Sequence, residues 1–223
     1  MRKKPAAISP IMLPELEREL KRVRERTRYR QVLVSTVSAL ITVAAAAILL
    51  ATMWFPVLQI WGSSMTPTLH EGEIVVSLKG SRFETGDVIA FYYNNKILVK
   101  RVIAGPGQWV DIREGGQVFV DDRPLDEPYV SEPALGDCNI ALPYQVPDGR
   151  YFVMGDHRTT SVDSRNTAVG CVAREQVVGK IVLCIWPLKD FGEIPRPDRE
   201  ELEKWKNTDS GRNVYSPPDS ADT

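Results

Sequence analysis

Two motifs of the chain, Gly62–Leu69 and Lys100–Gly107, carry a serine and a lysine that could act as a catalytic pair. A serine hydroxyl is a poor nucleophile at neutral pH and needs a neighbouring group to accept its proton. The amine of Lys100 can accept a proton only if its surroundings keep it neutral, and the apolar residues of Ile97–Ile103 could form such surroundings. The two motifs therefore predict a serine nucleophile and a lysine base.

A long uncharged segment ends about ten residues before the first motif. Val32–Phe55 is a 24-residue apolar run, and as a helix it would be ~36 Å long, enough to cross a hydrocarbon core of ~30 Å. Residues 1–30 carry ten lysines and arginines against four glutamates, which predicts a cytoplasmic N-terminus and an extracytoplasmic remainder. A cleaved signal peptide or a buried core helix are alternatives, but the run exceeds an h-region of about 7–15 residues.

Residues 57–187 alternate short apolar runs with turn residues, which is typical of many short strands. The predicted strands are Glu73–Leu78, Val88–Tyr93, Ile97–Ile103, Trp109–Ile112, Gln117–Val120, Tyr151–Met154 and Gln176–Ile185. Asn94-Asn95 indicates a hairpin, and Glu114–Gly116 and Asp121–Pro124 indicate turns. The pattern predicts an all-β domain.

Four domains follow from this organisation. A basic cytoplasmic segment at 1–31 precedes a transmembrane helix at 32–55, and a catalytic β-domain outside the membrane occupies 56–187. The last segment, 188–223, is charged and Pro-rich, which predicts a disordered tail with a helical turn or two at Asp198–Lys206.

Four segments resemble, in order, the conserved boxes of the bacterial type I signal peptidases: Ser64–Leu69, Gly86–Ile89, Lys100–Gly107 and Gly155–Arg165. Each motif alone is weak evidence for the family, but four motifs in the right order behind one membrane span are strong evidence. The resemblance covers roughly residues 32–187. It implies a mostly antiparallel β-fold. It also implies a membrane-bound endopeptidase that releases exported proteins from their signal peptides through an acyl-enzyme.

The resemblance assigns a role to five residues around the reacting atoms. Ser64, and not its neighbour Ser63, corresponds to the nucleophile, and Lys100 to the general base. The serine corresponding to Ser161 hydrogen-bonds the lysine amine, and Asp163 and Arg165 would form a supporting ion pair. We expect this pair to hold a loop, with Asp163 not serving as a triad acid.

The resemblance also concerns the oxyanion site and the substrate pockets. The Ser64 backbone N–H can supply one donor, but Gly62 stands where some members have a serine hydroxyl, so the second donor is Gly62 backbone or water. By analogy, shallow apolar pockets that accept small residues at the first and third positions before the cut are lined by Ile60, Met65, Leu69, Leu98 and Val99. Ordinary core packing is the alternative for these five.

A Ser-His-Asp triad can also be drawn on paper from Ser64, His157 and Asp156. His157 occupies the place of an asparagine common in this motif, in a segment that shapes the loop. We therefore expect the lysine, not the histidine, to be the base.

Composition narrows the partners and cofactors. A net charge of −1 does not indicate binding to nucleic acid. The sequence shows no spacing typical of metal ligands, so we expect no cofactor and no metal. The three cysteines leave at least one unpaired; Cys171 and Cys184 are predicted to be buried, and Cys138 is the candidate exposed thiol. The expected partners are secretory preproteins and membrane lipid, with the enzyme acting as a monomer.

Two rival functions belong to other classes of protein. Some signal-peptidase-like proteins serve pilus assembly at the surface without the active residues, but Ser64 and Lys100 are both present here. A self-cleaving Ser-Lys repressor of the SOS type has related β-architecture, but the membrane span and the lack of a DNA-binding N-terminal domain argue against it.

Overall fold

The structure, a computed structural model, describes residues 13–195 and residue 197. One α-helix, α1 (Leu13–Trp54), precedes all strands of the described chain. The strands are β1 (Val57–Gln59), β2 (Ile74–Leu78), β3 (Val88–Tyr93), β4 (Lys96–Ala104), β5 (Trp109–Ile112), β6 (Val118–Val120), β7 (Arg123–Pro124), β8 (Tyr144–Gln145), β9 (Arg150–Met154), β10 (Val172–Ala173), β11 (Val177–Trp186) and β12 (Gly192–Glu193). Three short 3-10 helices lie at Glu114–Gly116, Arg174–Gln176 and Leu188–Asp190.

Helix α1 confirms the helix predicted for the apolar run and extends it by about five turns into the basic segment. It ends at Trp54, two residues before Pro56, because a proline disfavours the helical conformation of the residue before it. Glu17–Trp54 is long and apolar enough to cross a membrane, although an N-terminal signal sequence would meet the same criterion. The described chain divides into two units between Ala51 and Thr52: most of helix α1 lies in the first, and all the strands lie in the second, the β unit.

The β unit contains a large antiparallel sheet with the strand order β1-β2-β11-β3-β4-β9-β10, and β12 pairs with β11. A smaller antiparallel sheet has the order β7-β6-β5-β8. The all-β prediction for this part of the chain is therefore confirmed. All seven predicted strands are present with ends shifted by at most one residue, and β1, β7, β8, β10 and β12 were not predicted as strands.

Tight turns keep the hairpins in register. The predicted Asn94-Asn95 turn joins β3 to β4, with Tyr93 opposite Lys96 and Asn94 at φ +50°. Asp121 and Asp122, at φ +52° and +64°, connect β6 to β7, a backbone geometry that suits a two-residue hairpin loop. Of the turn predicted at Asp121–Pro124, only the first two residues form the turn, because Arg123–Pro124 is strand β7.

Three groups of buried side chains form the core. The first lies around the small sheet and includes Val110, Val118 and Phe152. The second joins the segment after β1 to strands β2, β3 and β11: Ile60, Met65, Leu69, Val75, Val88, Ala90, Ile181 and Cys184. The third lies on the opposite face of the large sheet: Ile89, Phe91, Val102, Val153 and Val172. Strand β4 contributes Ile103 to the first group and Val102 to the third, and its half-buried Val99 packs against the second.

The boundary predicted at residue 187 needs correction. Residues 188–195 belong to the β-domain, since Gly192–Glu193 pairs with β11 and the carbonyl of Pro195 accepts a hydrogen bond of 2.8 Å from Arg101 Nη1. Composition concealed this because the segment is rich in charge and proline. The predicted helical turns at 198–206 and the predicted disorder of 207–223 lie outside the described residues.

Candidate active site

Two elements bring Ser64 and Lys100 together. Lys100 lies in β4, and Ser64 lies in the loop between β1 and β2. Lys100 Nζ donates a hydrogen bond of 2.6 Å to Ser64 Oγ. This distance is short enough for direct proton transfer between the two groups.

The loop that carries Ser64 is held from both sides. Thr66 donates to the carbonyl of Ser63 through its backbone N–H at 3.1 Å and its hydroxyl at 2.8 Å. The backbone N–H of His157 donates to the carbonyl of Ser64 at 3.1 Å. Gly62 has φ +81° just before the serine, a conformation that glycine adopts without strain. The nucleophile therefore sits on a fixed turn.

The environment of Lys100 favours its neutral form. Its exposed fraction is only 3%, and burial lowers the pKa of its amine to about 8 from the usual 10.5. Asp163 raises this pKa, Arg165 lowers it and Asp156 raises it, each less than burial lowers it. Burial disfavours the charged ammonium because the protein solvates it less well than water does. Lys100 can thus act as a base near neutral pH.

The predicted pair of Asp163 and Arg165 is present and fully buried. Arg165 donates from Nε and Nη2 to the two carboxylate oxygens of Asp163, each at 2.8 Å. Burial alone would raise the pKa of the Asp163 carboxyl, but hydrogen bonds and charge from Arg165 lower it below its ordinary value. Asp163 also accepts the N–H of Gly155 at 2.9 Å, and Arg165 donates to the carbonyl of Leu135 at 2.6 Å. The pair ties the loop between β9 and β10 to the loop between β7 and β8.

The predicted hydrogen bond from Lys100 to Ser161 is not formed. Ser161 is buried, and within the described chain its hydroxyl oxygen has no hydrogen-bond partner. The Lys100 amine donates instead to Ser64 Oγ. A side chain at Gly155 would clash with this hydroxyl, so Ser161 nevertheless lies close to the segment that supports the nucleophile.

A second buried ion pair, between Arg101 and Asp156, was not predicted from the sequence. Arg101, next to Lys100 in β4, donates to both carboxylate oxygens of Asp156, at 2.9 and 2.7 Å. It also donates to the carbonyl of Gly86 at 2.7 Å and stacks 3.7 Å above the ring centre of Tyr129. The signal in the sequence was a pair of consecutive cations inside an apolar strand, since a buried arginine needs a carboxylate.

Ser64, His157 and Asp156 do not form the alternative Ser-His-Asp triad, because the histidine and the aspartate have other partners. The ring Nδ1 of His157 lies 2.9 Å from the hydroxyl of Thr160. The carboxylate of Asp156 is occupied by Arg101 and by the hydroxyl of Thr68. The side chain that contacts Ser64 Oγ is that of Lys100.

A groove of about 590 Å³ ends at the dyad. One wall is the segment Leu58–Met65, and the other is the segment Asn95–Lys100. Within residues 13–195, β9 pairs with β4 only from Arg101 onward, and β1 pairs only with β2. Both walls therefore present unpaired strand edges, to which an extended peptide can hydrogen-bond.

The structure separates the five predicted pocket residues. Ile60, Met65, Leu98 and Val99 line the groove, the first two nearly buried and the others half-buried. Leu69 does not line it: this side chain is fully buried in the core with Val75 and Ile181, so the alternative of core packing applies there. The other residues that line the groove include Leu58, Gln59, Trp61, Asn95, Lys96 and Ile97.

The described residues show no cluster of three or more metal-ligating side chains. All three cysteines are free: Cys171 and Cys184 are buried as predicted, and Cys138 is half-buried.

The comparisons with known proteins agree with this geometry. A model of the family "Signal peptidase, peptidase S26" matches residues 33–186. Signal peptidase I of Bacillus licheniformis is 32% identical over 188 residues, covering 77% of this chain and 97% of that protein. The chain belongs to the signal peptidase family.

Other members of the signal peptidase family show the same likeness. Signal peptidase IB of Staphylococcus aureus (strain COL) is 35% identical over 158 residues, covering 61% of this chain and 81% of the relative. The crystal structure of a signal peptidase I from Enterococcus faecalis V583 is 29% identical, covers 44% of this chain and 96% of that chain, and superposes with a TM-score of 0.37. The family match ends at residue 186, so the strand β12 lies beyond it.

Proposed function

We propose that this member of the signal peptidase family is a membrane-bound serine endopeptidase that removes N-terminal signal peptides from exported preproteins, with Ser64 as nucleophile and Lys100 as general base. The observation that carries the proposal is the 2.6 Å contact between Lys100 Nζ and Ser64 Oγ at the end of a groove with open strand edges. The lowered pKa of Lys100 supports the assignment of the base.

The reaction runs in two halves. Neutral Lys100 takes the proton from Ser64 Oγ as this oxygen attacks the carbonyl carbon of the residue before the cut. The resulting ammonium then gives its proton to the leaving amine, the peptide C–N bond breaks, and an ester to Ser64 remains. In the second half Lys100 takes a proton from water, the hydroxide adds to the ester, and Ser64 Oγ leaves with a proton returned by Lys100.

The developing oxyanion needs hydrogen-bond donors aimed at it. We assign the backbone N–H of Ser64 as the first donor. Gly62 lines the groove beside Ser64, and a Cβ built there meets nothing within 4 Å. This open space leaves room for the substrate carbonyl oxygen, with the backbone at Gly62 or a water as the second donor.

The substrate lies extended between the walls Leu58–Met65 and Asn95–Lys100. Ile60 and Met65 are nearly buried and leave little depth beside the nucleophile, which supports a requirement for small residues at positions −1 and −3 before the cut. Nucleophile, base and both walls come from one chain, which supports a monomeric enzyme.

A membrane span so close in sequence to Ser64 supports a site near a bilayer. The backbone N–H of Lys79 donates to the carbonyl of Trp54 at 3.1 Å, and Ser77 donates to that of Pro56 at 2.9 Å, so residues 54–56 are bound to β2 and the residue after it. Ser64 lies nine positions after Phe55, and even a fully extended chain of that length reaches only ~30 Å. With the basic N-terminus in the cytoplasm, the site faces the outside at a height where a membrane-held signal peptide ends.

The test is cleavage of a preprotein by the full-length protein in detergent, with the new N-terminus of the product sequenced. We expect Ser64→Ala and Lys100→Met each to lower the cleavage rate at least about a thousandfold, because each removes one member of the dyad. The matched control is Ser63→Ala, which alters the neighbouring hydroxyl only. Rapid cleavage by the Ser64→Ala protein, or a cut that does not follow a small residue, would refute the proposal.

A further inference from the structure

Lys96 is the one charged side chain besides Lys100 among the residues that line the groove in the described chain. It is exposed and stands at the start of β4, next to the turn residue Asn95. The other residues at this end of the groove are uncharged, and the opposite wall contributes the uncharged polar residue Gln59 of β1. The end of the groove distant from Ser64 therefore carries a positive charge.

The strand geometry sets the distance between the two lysines. Lys96 and Lys100 are four residues apart in one strand, so they face the same side of the sheet at a separation of ~13 Å along β4. Four antiparallel pairings connect β1 to β4, so the two walls run in the same direction, and both run toward the dyad. A peptide between them extends away from the dyad toward Lys96.

An extended peptide advances by the same rise per residue as β4 itself. If residue −1 lies beside Lys100, residue −5 lies beside Lys96. Residues −1, −3 and −5 also share one face of an extended chain, while −4 and −6 point to the other face. Position −5 is therefore the one that Lys96 meets.

We propose that Lys96 is a specificity-determining residue that favours an acidic side chain, and disfavours a basic one, at position −5 of the substrate. This inference rests on the proposed function and adds a charge preference to it. Lys96 is exposed, so the interaction is partly screened by water and amounts to a few-fold preference.

The experiment measures kcat/KM of the full-length protein in detergent for a preprotein with Ala at −1 and −3 and with Glu, Gln or Lys at −5. We expect Glu to be cut about threefold faster than Gln and Lys about threefold slower, in line with exposed charge pairs. Lys96→Gln should abolish this order and Lys96→Glu should invert it. The same substitutions at −4 and −6 should have smaller effects. Ratios within one variant do not depend on its folded fraction.

The matched control is Lys189→Glu, because Lys189 is exposed, lies outside the groove and undergoes the same change of charge. This variant should keep the wild-type order, and a salt concentration of ~1 M should weaken the preference by screening. An unchanged order in Lys96→Glu, or an equal inversion in Lys189→Glu, overturns the inference while leaving the proposed function intact. Failure of the wild-type protein to cut the Gln substrate overturns both.

Discussion

Replacing Lys100 by methionine should change how the stability of the protein depends on pH. Lys100 is 3% exposed, and the pKa of its amine is lowered to about 8 from 10.5. Methionine fills a similar volume without a titrating group, so a comparison of the two proteins isolates the contribution of the lysine. The prediction concerns the difference between their free energies of unfolding.

The sign and size follow from proton binding in the two states. Between pH 8 and 10.5 the unfolded chain holds the proton of Lys100 and the folded protein has lost it, so the stability of the wild type rises with pH in this window. Below pH 8 the ammonium is buried, and the folded state carries a constant cost of about 3 kcal/mol from the 2.5-unit difference (10.5 − 8). Above pH 10.5 this cost is gone.

The assay is urea unfolding of both proteins in the same detergent, followed by tryptophan fluorescence from pH 7 to 10.5. The packing difference between lysine and methionine shifts the two curves by a constant, whereas the titration changes their separation with pH. We expect the wild type to gain about 3 kcal/mol relative to Lys100→Met across this range. A separation that stays constant would mean that Lys100 keeps an ordinary pKa, and the base assignment would lose its physical support.

Three further predictions concern the surroundings of the dyad. His157→Asn should retain cleavage within about tenfold, because its ring pairs with Thr160, whereas loss of a triad base costs several orders of magnitude; comparing initial rates decides this. Gly155→Ala should lower the cleavage rate at least about tenfold, because the new Cβ would lie 2.5 Å from the Ser64 carbonyl oxygen. The control Gly192→Ala, where a Cβ has open space, should keep the wild-type rate, and equal rates for the two variants would contradict the close packing of Gly155 against Ser64. Asp163→Asn should destabilise the protein by about 3–5 kcal/mol in urea unfolding, since Arg165 would lose its carboxylate; a small loss would count against that pair.

The sequence predicted the elements of the fold better than their arrangement. Short apolar runs bounded by turn residues located the longer strands, because a strand buried in the sheet needs a stretch of apolar side chains. The two-residue strands β7, β8, β10 and β12 are too short to show such a pattern, and they depend on a neighbouring strand already in place. Pairing partners far apart in sequence, such as β2 with β11, follow from the packed structure alone.

For the candidate site, too, the sequence predicted some features and not others. The spacing and the resemblance predicted Ser64, Lys100 and the Asp163–Arg165 pair, all of which the structure brings together or pairs. They did not predict that Leu69 turns into the core, because an apolar residue is equally suited to a pocket and to the interior. Nor did they indicate the bond of Arg101 to Pro195, since the acceptor is a backbone carbonyl that any residue would offer.

The ion pair beside the base explains how a charged loop can support a lysine that must be neutral. Asp163 raises the pKa of Lys100 and Arg165 lowers it, so the two influences oppose each other and burial remains the main cause of the lowered value. A lone carboxylate at this place would hold Lys100 as an ammonium, and a lone guanidinium would leave a costly unpaired charge. The bidentate pair avoids both because it offers rigid hydrogen bonds to Gly155 and Leu135 while its net charge is zero. The same logic applies to Asp156, whose charge also raises the pKa of Lys100 and is matched by Arg101.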